Sequence, residues 1–243
     1  MTLPRHTRQI MLPEIGGPGQ ARLEGATVAL VGAGGLGGPA AMYLASAGMG
    51  RIRLVDFDAV EDSNLQRQAQ FTEADIGLSK VERLRERLLA MDGRLVVEAV
   101  EARLTEDTAE ELLAGSDVVL DGCDSFETRF AVNAACRAMG VPLVSGAIAR
   151  WSAQVGVFAG EPCYRCFVAD VPPDAETCEA VGIVGAVAGV AGSLMALEAV
   201  KIITGAGENL RGKLWLFDGL VGEGRTVSIA ADPECPVCGR RGG

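Results

Sequence analysis

VALVGAGGLG, Val28–Gly37, is the stretch whose reading decides the fold. The apolar run Val28–Val31 breaks into the turn Gly32-Ala33-Gly34-Gly35-Leu36-Gly37, and an alanine-rich segment follows as far as Gly48. That order reads as strand, tight turn, helix. Glycine lets the backbone turn sharply and come close to a ligand. The free N–H groups and positive dipole end of the next helix then face whatever occupies the turn, which suits a phosphate. About twenty residues further on, Arg51–Asp56 ends in a carboxylate placed to accept hydrogen bonds from a ribose. The pattern specifies a nucleotide and leaves the chemistry open, because dehydrogenases share it.

Outward from this stretch the elements alternate. Strands are expected at about 27–31, 51–56, 95–100, 117–121 and 142–146, and helices at about 36–47, 79–91 (with Ser79 as N-cap), 107–113 and 128–139. That is a parallel sheet with right-handed connections. The second half changes character. An antiparallel strand at 154–158 precedes an irregular loop over 161–182, a helix at 187–203 and strands at 213–218 and 226–229. Residues 1–24 read as an arm whose apolar residues dock, with a short helical piece ending near Leu23. The run Gly182–Leu197 is too short and too rich in Gly and Ala for a membrane span, and reads as buried loop and helix. The whole is one unit, 1–243: the arm, a nucleotide-binding half at 25–150, and a second half at 151–243 that carries the C-x-x-C pairs Cys163–Cys166 and Cys235–Cys238.

Composition narrows the classes. With 49% apolar residues in 243, the chain can bury a large core. A net charge of −10 argues against nucleic-acid and anionic-membrane partners. Met1–Arg8 has no apolar signal region, and the chain holds 7 cysteines. Both facts point to a cytoplasmic protein whose cysteines bind metal rather than form disulfides.

Three constellations carry chemistry. Cys163-Tyr164-Arg165-Cys166 and Cys235-Pro236-Val237-Cys238 offer four thiolates in two knuckles, a closed set suited to structural Zn²⁺ that would staple the C-terminus to the core. Asn64, Arg67 and Lys80, downstream of Asp56, would lay positive charge along a polyphosphate, although singly each reads as an ordinary surface or helix residue. Asp121 and Asp124 follow the fourth strand, where a carboxylate can hold Mg²⁺ on a nucleotide phosphate or merely cap a loop. Cys123 and Cys136 read as buried small hydrophobes.

RHTRQ (5–9), GAGGLG (32–37), LVDFDAVEDSNLQRQ (54–68), GLSK (77–80), DGCDSFETR (121–129), CYRCF (163–167), GIVG (182–185), ALEAVK (196–201) and CPVC (235–238) occur in that order. Together they resemble the MoeB/ThiF/HesA adenylyltransferases, relatives of ubiquitin-activating enzymes, over essentially the whole chain. The resemblance implies a Rossmann-like mixed α/β sheet, parallel in its first half, with antiparallel C-terminal strands and helices on both faces. It implies ATP- and Mg²⁺-dependent adenylation of the C-terminal glycine of a small ubiquitin-like sulfur carrier ending in Gly-Gly, in molybdenum cofactor or thiamine biosynthesis. Gly32, Gly34, Gly35 and Gly37 would approach ATP, and Asp56 would hold its ribose. Ser63, Asn64, Arg67 and Lys80 would engage the triphosphate, and Asp124 would hold Mg²⁺. Ser125 stands where the family has Asn, with shorter reach. Arg8 would enter the neighbouring subunit's site in a homodimer, and Cys178 aligns with a loop cysteine proposed to bond to the carrier in some members. The tail Gly242-Gly243 resembles a carrier's own tail but reads more simply as a frayed end.

A carboxylate nucleophile needs no general base, which fits a chain whose single histidine, His6, lies in the arm. The competing expectations are adenylation of a modified tRNA base, a non-catalytic carrier-binding scaffold, and a nicotinamide oxidoreductase. The last leaves Arg67 and Lys80 unexplained.

Overall fold

The computed structural model describes residues 5–171 and 182–239. An eight-stranded sheet has the order β3-β2-β1-β4-β5-β6-β7-β8. Its strands are β1 (Thr27–Val31), β2 (Arg51–Asp56), β3 (Val96–Glu101), β4 (Val118–Asp121), β5 (Leu143–Ala149), β6 (Ser152–Phe158), β7 (Lys213–Asp218) and β8 (Glu223–Ser228). β1 to β5 are parallel, and β6, β7 and β8 continue antiparallel. The order in which strands are added reverses between β1 and β4, the switch point where open α/β sheets bind ligands at their carboxyl ends.

The helices are α1 (Thr7–Ile10), α2 (Gly16–Gly25), α3 (Gly37–Ser46), α4 (Lys80–Met91), α5 (Ala109–Leu113), α6 (Phe126–Met139), α7 (Tyr164–Phe167) and α8 (Gly185–Thr204). β1 is apolar along its length because both its faces are covered. Val28 and Leu30 join one core with α3, α4 and α8, and Ala29 and Val31 join the other with α5 and α6. The helix α8 is long and apolar enough to cross a membrane by composition. Here it packs on α3, β5 and β6, with Ala188, Ala191, Met195 and Ala199 fully buried.

Most expected elements stand within two or three residues of their places. The strand expected at 226–229 begins at Glu223, because β8 pairs along the whole of β7. The loop expected at 161–182 holds the short helix α7, and Pro172 and Pro173 lie outside the described residues. Ser79 occupies the α4 N-cap position, yet its hydroxyl makes no cap and is buried without a partner. An isolated bridge to Ala59 sets the backbone there, and Lys80 N donates to Asp58 O at 3.0 Å.

Candidate active site

The glycine turn is built by exclusion. Gly32 has φ +90°, open to glycine and strained for other residues, and a Cβ on Gly37 would lie 1.9 Å from the Gly32 oxygen. The turn therefore closes tightly onto the start of α3. Asp56 fixes its near side: Oδ2 accepts from Ala33 N at 2.7 Å and Oδ1 from Asp58 N at 2.9 Å. Gln70 fixes its underside, donating from Nε2 to Ala33 O at 2.9 Å and Gly34 O at 3.0 Å. With those carbonyls held, the N–H groups of Gly34, Gly35 and Leu36 have no acceptor among the described residues. Consecutive free amides at a helix start make an anion cradle. Burial pushes the Asp56 carboxyl above its usual range, against the two backbone N–H groups and the Lys80 charge.

Lys80 lies beside this cradle. It is buried, and its Nζ pairs with Asp58 Oδ2 at 2.9 Å. Asp58 follows Asp56 by two residues, so one turn after β2 carries the carboxylate that braces the glycine turn and the counter-ion of an ammonium. Arg67 is half-buried and donates from Nη1 to Ser63 O at 3.0 Å, and its backbone oxygen approaches Gly35. Asn64 is buried. Its Oδ1 accepts from Glu61 N at 3.4 Å, and its Nδ2 donates to Ser63 Oγ at 3.3 Å, which shapes the turn Asp62–Asn64. Ser63 itself is exposed.

At the end of β4 the two aspartates part. Asp121 is fully buried and engaged inward, accepting Ser145 Oγ at 2.9 Å, Cys123 N at 3.1 Å and Cys123 Sγ at 2.7 Å. The Asp121 side chain is therefore part of the framework and faces away from any ligand. Asp124 is exposed, with its carboxylate free among the described residues. One free carboxylate next to an anion cradle suits Mg²⁺, which takes one or two carboxylates plus substrate phosphates. Ser125 Oγ accepts from Thr128 N at 3.4 Å and caps α6. Cys136 is buried as expected; Cys123 is half-buried, and its thiol donates to Asp121. Desolvation, and then the Asp121 charge, push the Cys123 pKa up, so it stays a thiol.

The two cysteine knuckles meet. The Sγ atoms of Cys163, Cys166, Cys235 and Cys238 all lie within 4.8 Å of one another. A tetrahedron with Zn–S of about 2.3 Å has edges of roughly 3.8 Å, so the set fits Zn²⁺ with no open position. Asn133 Nδ2 lies 3.7 Å from Cys163 Sγ, and Asp232 N lies 3.4 Å from Cys166 Sγ, as outer donors to thiolates. Burial opposes charge at Cys235, yet the N–H groups of Cys238 and Val237 bring its thiol down to about 7.

Arg8 sits on α1, exposed and without an ion pair among the described residues. The arm is anchored around it. Gln9 and Gln20 both donate to Ala47 O, at 3.0 and 3.2 Å, and Arg5 pairs with Asp92 at 3.1 Å. Cys178, Gly242 and Gly243 lie outside the described residues. Sequence reasoning missed Asp58, Gln70 and Arg129. Arg129 carried a signal: with Val132, Asn133 and Cys136 it occupies the inward stripe of α6, where an arginine is out of place unless it has partners.

Glycine cradle, switch-point sheet and closed cysteine site together define a nucleotide-binding α/β protein with a four-cysteine cluster able to hold a metal. The model of the ThiF family matches residues 6–237, and the chain belongs to that family. It is 44% identical over 246 residues to the sulfur carrier protein adenylyltransferase of Thermus thermophilus, covering 98% of this chain and 91% of that one. It is 41% identical over 239 residues to the molybdopterin-synthase adenylyltransferase of Salmonella typhimurium, covering 97% and 96%. Among solved structures, E. coli MccB with MccA-N7isoASN superposes with a TM-score of 0.85 at 25% identity, over 98% of this chain and 76% of that one. MccB solved with ATP superposes with a TM-score of 0.79 at 25% identity, over 91% and 69%.

Proposed function

We propose that the protein is an ATP-dependent adenylyltransferase that activates the C-terminal glycine carboxylate of a small ubiquitin-like sulfur carrier. The products are carrier acyl-adenylate and pyrophosphate. The observation that carries this reading is the ring of groups around the glycine turn: free amides, Asp56, the Asp58-held Lys80, Arg67 and the free carboxylate of Asp124. A nicotinamide enzyme has no use for buried Lys80 or for Asp124. The names of the relatives from Thermus and Salmonella support the same chemistry.

The carrier carboxylate is ionised at neutral pH, so it attacks the α-phosphorus without a base while pyrophosphate leaves. What the protein supplies is alignment and charge neutralisation. Asp56 orients the ribose. Lys80 exchanges Asp58 for phosphate oxygens, and Arg67 offers a planar donor fork. Asn64 and Ser63 hold the turn that carries Arg67, and Asp124 would hold Mg²⁺, which would supply neutralisation of the phosphates. Ser125 keeps that loop on α6. Zn²⁺ on the four cysteines is structural.

The protein acts as a homodimer in which Arg8 of one copy completes the site of the other. Ile10, Met11 and Leu12 of the arm, Tyr43 of α3, and Val190 and Leu197 of α8 are between 40% and 73% exposed, an apolar surface suited to a second copy. The carrier docks in the concavity of about 600 Å³ formed by β5 to β8, lined by Ala147, Gln154, Leu216, Val221 and Arg225. Cys178 is its candidate covalent partner.

ATP–pyrophosphate exchange with Mg²⁺ and a panel of Gly-Gly-tailed carriers tests the proposal. Exchange that requires one carrier and disappears in Asp124→Ala is expected. Tight ATP binding without exchange for any carrier would overturn it in favour of a scaffold or a non-protein carboxylate.

A further inference from the structure

The side chain of Asp124 is free among the described residues, so the backbone must fix where its carboxylate points. Gly122 N donates to Val31 O at 2.9 Å, and Cys123 N donates to Asp121 Oδ1 at 3.1 Å. The carbonyl of Cys123, which belongs to the peptide entering Asp124, accepts from Arg129 Nη2 at 2.5 Å. Arg129 is 5% exposed. The same guanidinium reaches Gly146 O at 2.9 Å and Ser145 Oγ at 3.2 Å on β5, and lies 3.6 Å from Asp121 Oδ2. One planar fork thus ties the end of β4 and the middle of β5 to the loop that leads from β4 into α6. Lysine has a single donor centre and does not reproduce that geometry.

The fork is itself held. The Tyr164 ring lies 6.0 Å from the Arg129 guanidinium, and Tyr164 N donates to Asn133 Oδ1 at 2.8 Å, one turn further along α6. Asn133 also contacts Cys163, so the cysteine staple backs the guanidinium. A buried ion pair is a poor device for stability alone, since well-packed apolar residues serve as well or better. Stability alone gives no reason for a guanidinium to bind the carbonyl adjoining Asp124.

We propose that Arg129 is a positioning residue for the Asp124 carboxylate, acting through the Cys123–Asp124 peptide. The inference rests on the reading of Asp124 as the Mg²⁺ ligand. It predicts that Arg129 matters for the metal-dependent part of nucleotide binding and little for the rest, because the glycine cradle and Asp56 do not touch it.

The test is calorimetric binding of a non-hydrolysable ATP analogue, with and without Mg²⁺, to the full-length protein and to Arg129→Lys, Ser145→Ala and Asp124→Ala. Arg129→Lys is expected to bind the Mg²⁺-free analogue as the unmodified protein does. It should lose roughly 10–100-fold of the gain that Mg²⁺ confers, the scale of a misplaced group. Ser145→Ala, which removes one support without stranding a charge, should shift the same quantity less. In exchange assays kcat should fall while the carrier KM stays put. A folded Arg129→Lys with the unmodified Mg²⁺ gain overturns the proposal, as does an equal loss with and without Mg²⁺. If Arg129→Lys does not fold, an unchanged Mg²⁺ gain in Ser145→Ala overturns it. If Asp124→Ala also keeps the full gain, the assignment of Asp124 fails first. Loss in Asp124→Ala beside no change in Arg129→Lys sinks the positioning role alone.

Discussion

The carboxyl ends of β1, β2 and β4 and the cysteine staple behind β6 hold their chemistry in opposite ways. At the strand ends, candidate recognition groups are kept open: the amides of Gly34, Gly35 and Leu36 and the Asp124 carboxylate lack partners among the described residues, and Lys80 has one exposed counter-ion. At the staple every ligand faces the others, with Cys163 and Cys235 Sγ 3.6 Å apart and Cys166 and Cys238 3.3 Å apart. An open set waits for a ligand that comes and goes. A closed set has no free position and serves structure. The comparison teaches that reactivity here is read from which groups remain unsatisfied.

The comparison can be broken first at its open end. Lys80→Ala should lower the rate of ATP–pyrophosphate exchange by about 10²–10³-fold, the scale of removing one donor aimed at developing charge. The melting temperature should change little, because only the partly exposed Asp58 loses its partner. A rate within a few fold of the unmodified protein would remove Lys80 from the site.

The closed end should respond the other way. Stripping the metal with a chelator, or Cys166→Ser, should lower the melting temperature by several degrees, of order 4–8 °C for each kcal/mol in a small domain and about half that at this size. Mg²⁺-ATP affinity should fall only a few fold, since the staple reaches the site through Tyr164 and Asn133 alone. Inductively coupled plasma analysis beside the melt would check that one Zn²⁺ per chain accounts for the change. Equal collapse of both readouts would mean that the two regions are not separable.

Backbone packing beneath the cradle sharpens the contrast further. A Cβ on Gly38 would lie 2.2–2.4 Å from the Gln70 amide, which would have to leave Ala33 O and Gly34 O. Gly38→Ala should therefore destabilise by about 1–3 kcal/mol in denaturant unfolding. It should also weaken ATP binding, whereas the zinc content stays unchanged.

The smallest effect is expected at the arm. The Arg94 side chain, against some desolvation and with help from Arg5, holds the Asp92 carboxyl well below its usual range. A depressed native pKa contributes stability above the unfolded value near 4 and loses it as pH falls through the native value. Part of the stability of the folded chain should be lost below about pH 4, seen in denaturant unfolding. Asp92→Asn should flatten that pH dependence. An unfolding free energy that falls as much between pH 6 and pH 3.5 in Asp92→Asn as in the unmodified protein would contradict the pairing.

Much of the site was legible because its residues lie near one another in sequence. Gly32–Gly37, Asp56, Arg67 and Lys80 follow a strand, a turn and a second strand whose apolar pattern is unambiguous, and the two C-x-x-C pairs announce a metal at any distance. Asp121 and Asp124 show the limit. Both are acids at one strand end, and nothing local tells which points inward; Ser145 and Arg129, 24 and 8 residues from Asp121, make that choice. Ser79 shows it again, since its cap position was readable but the bridge to Ala59 that displaces the cap was not. Asp58 and Gln70 escaped notice because a charged residue after a strand and a polar residue in a polar stretch are ordinary until their partners are known.

The sequence by itself determined the alternation of strand and helix, the glycine turn that only glycine can make, the metal-binding cysteines and the family. Those depend on periodicity, backbone conformation and ligand type, all local quantities. Only the tertiary structure decided which carboxylate and which amides are unpaired among the described residues, and what holds Lys80 and Asp121. Those are differences between satisfied and unsatisfied groups, and satisfaction depends on partners that the chain brings together from distant positions.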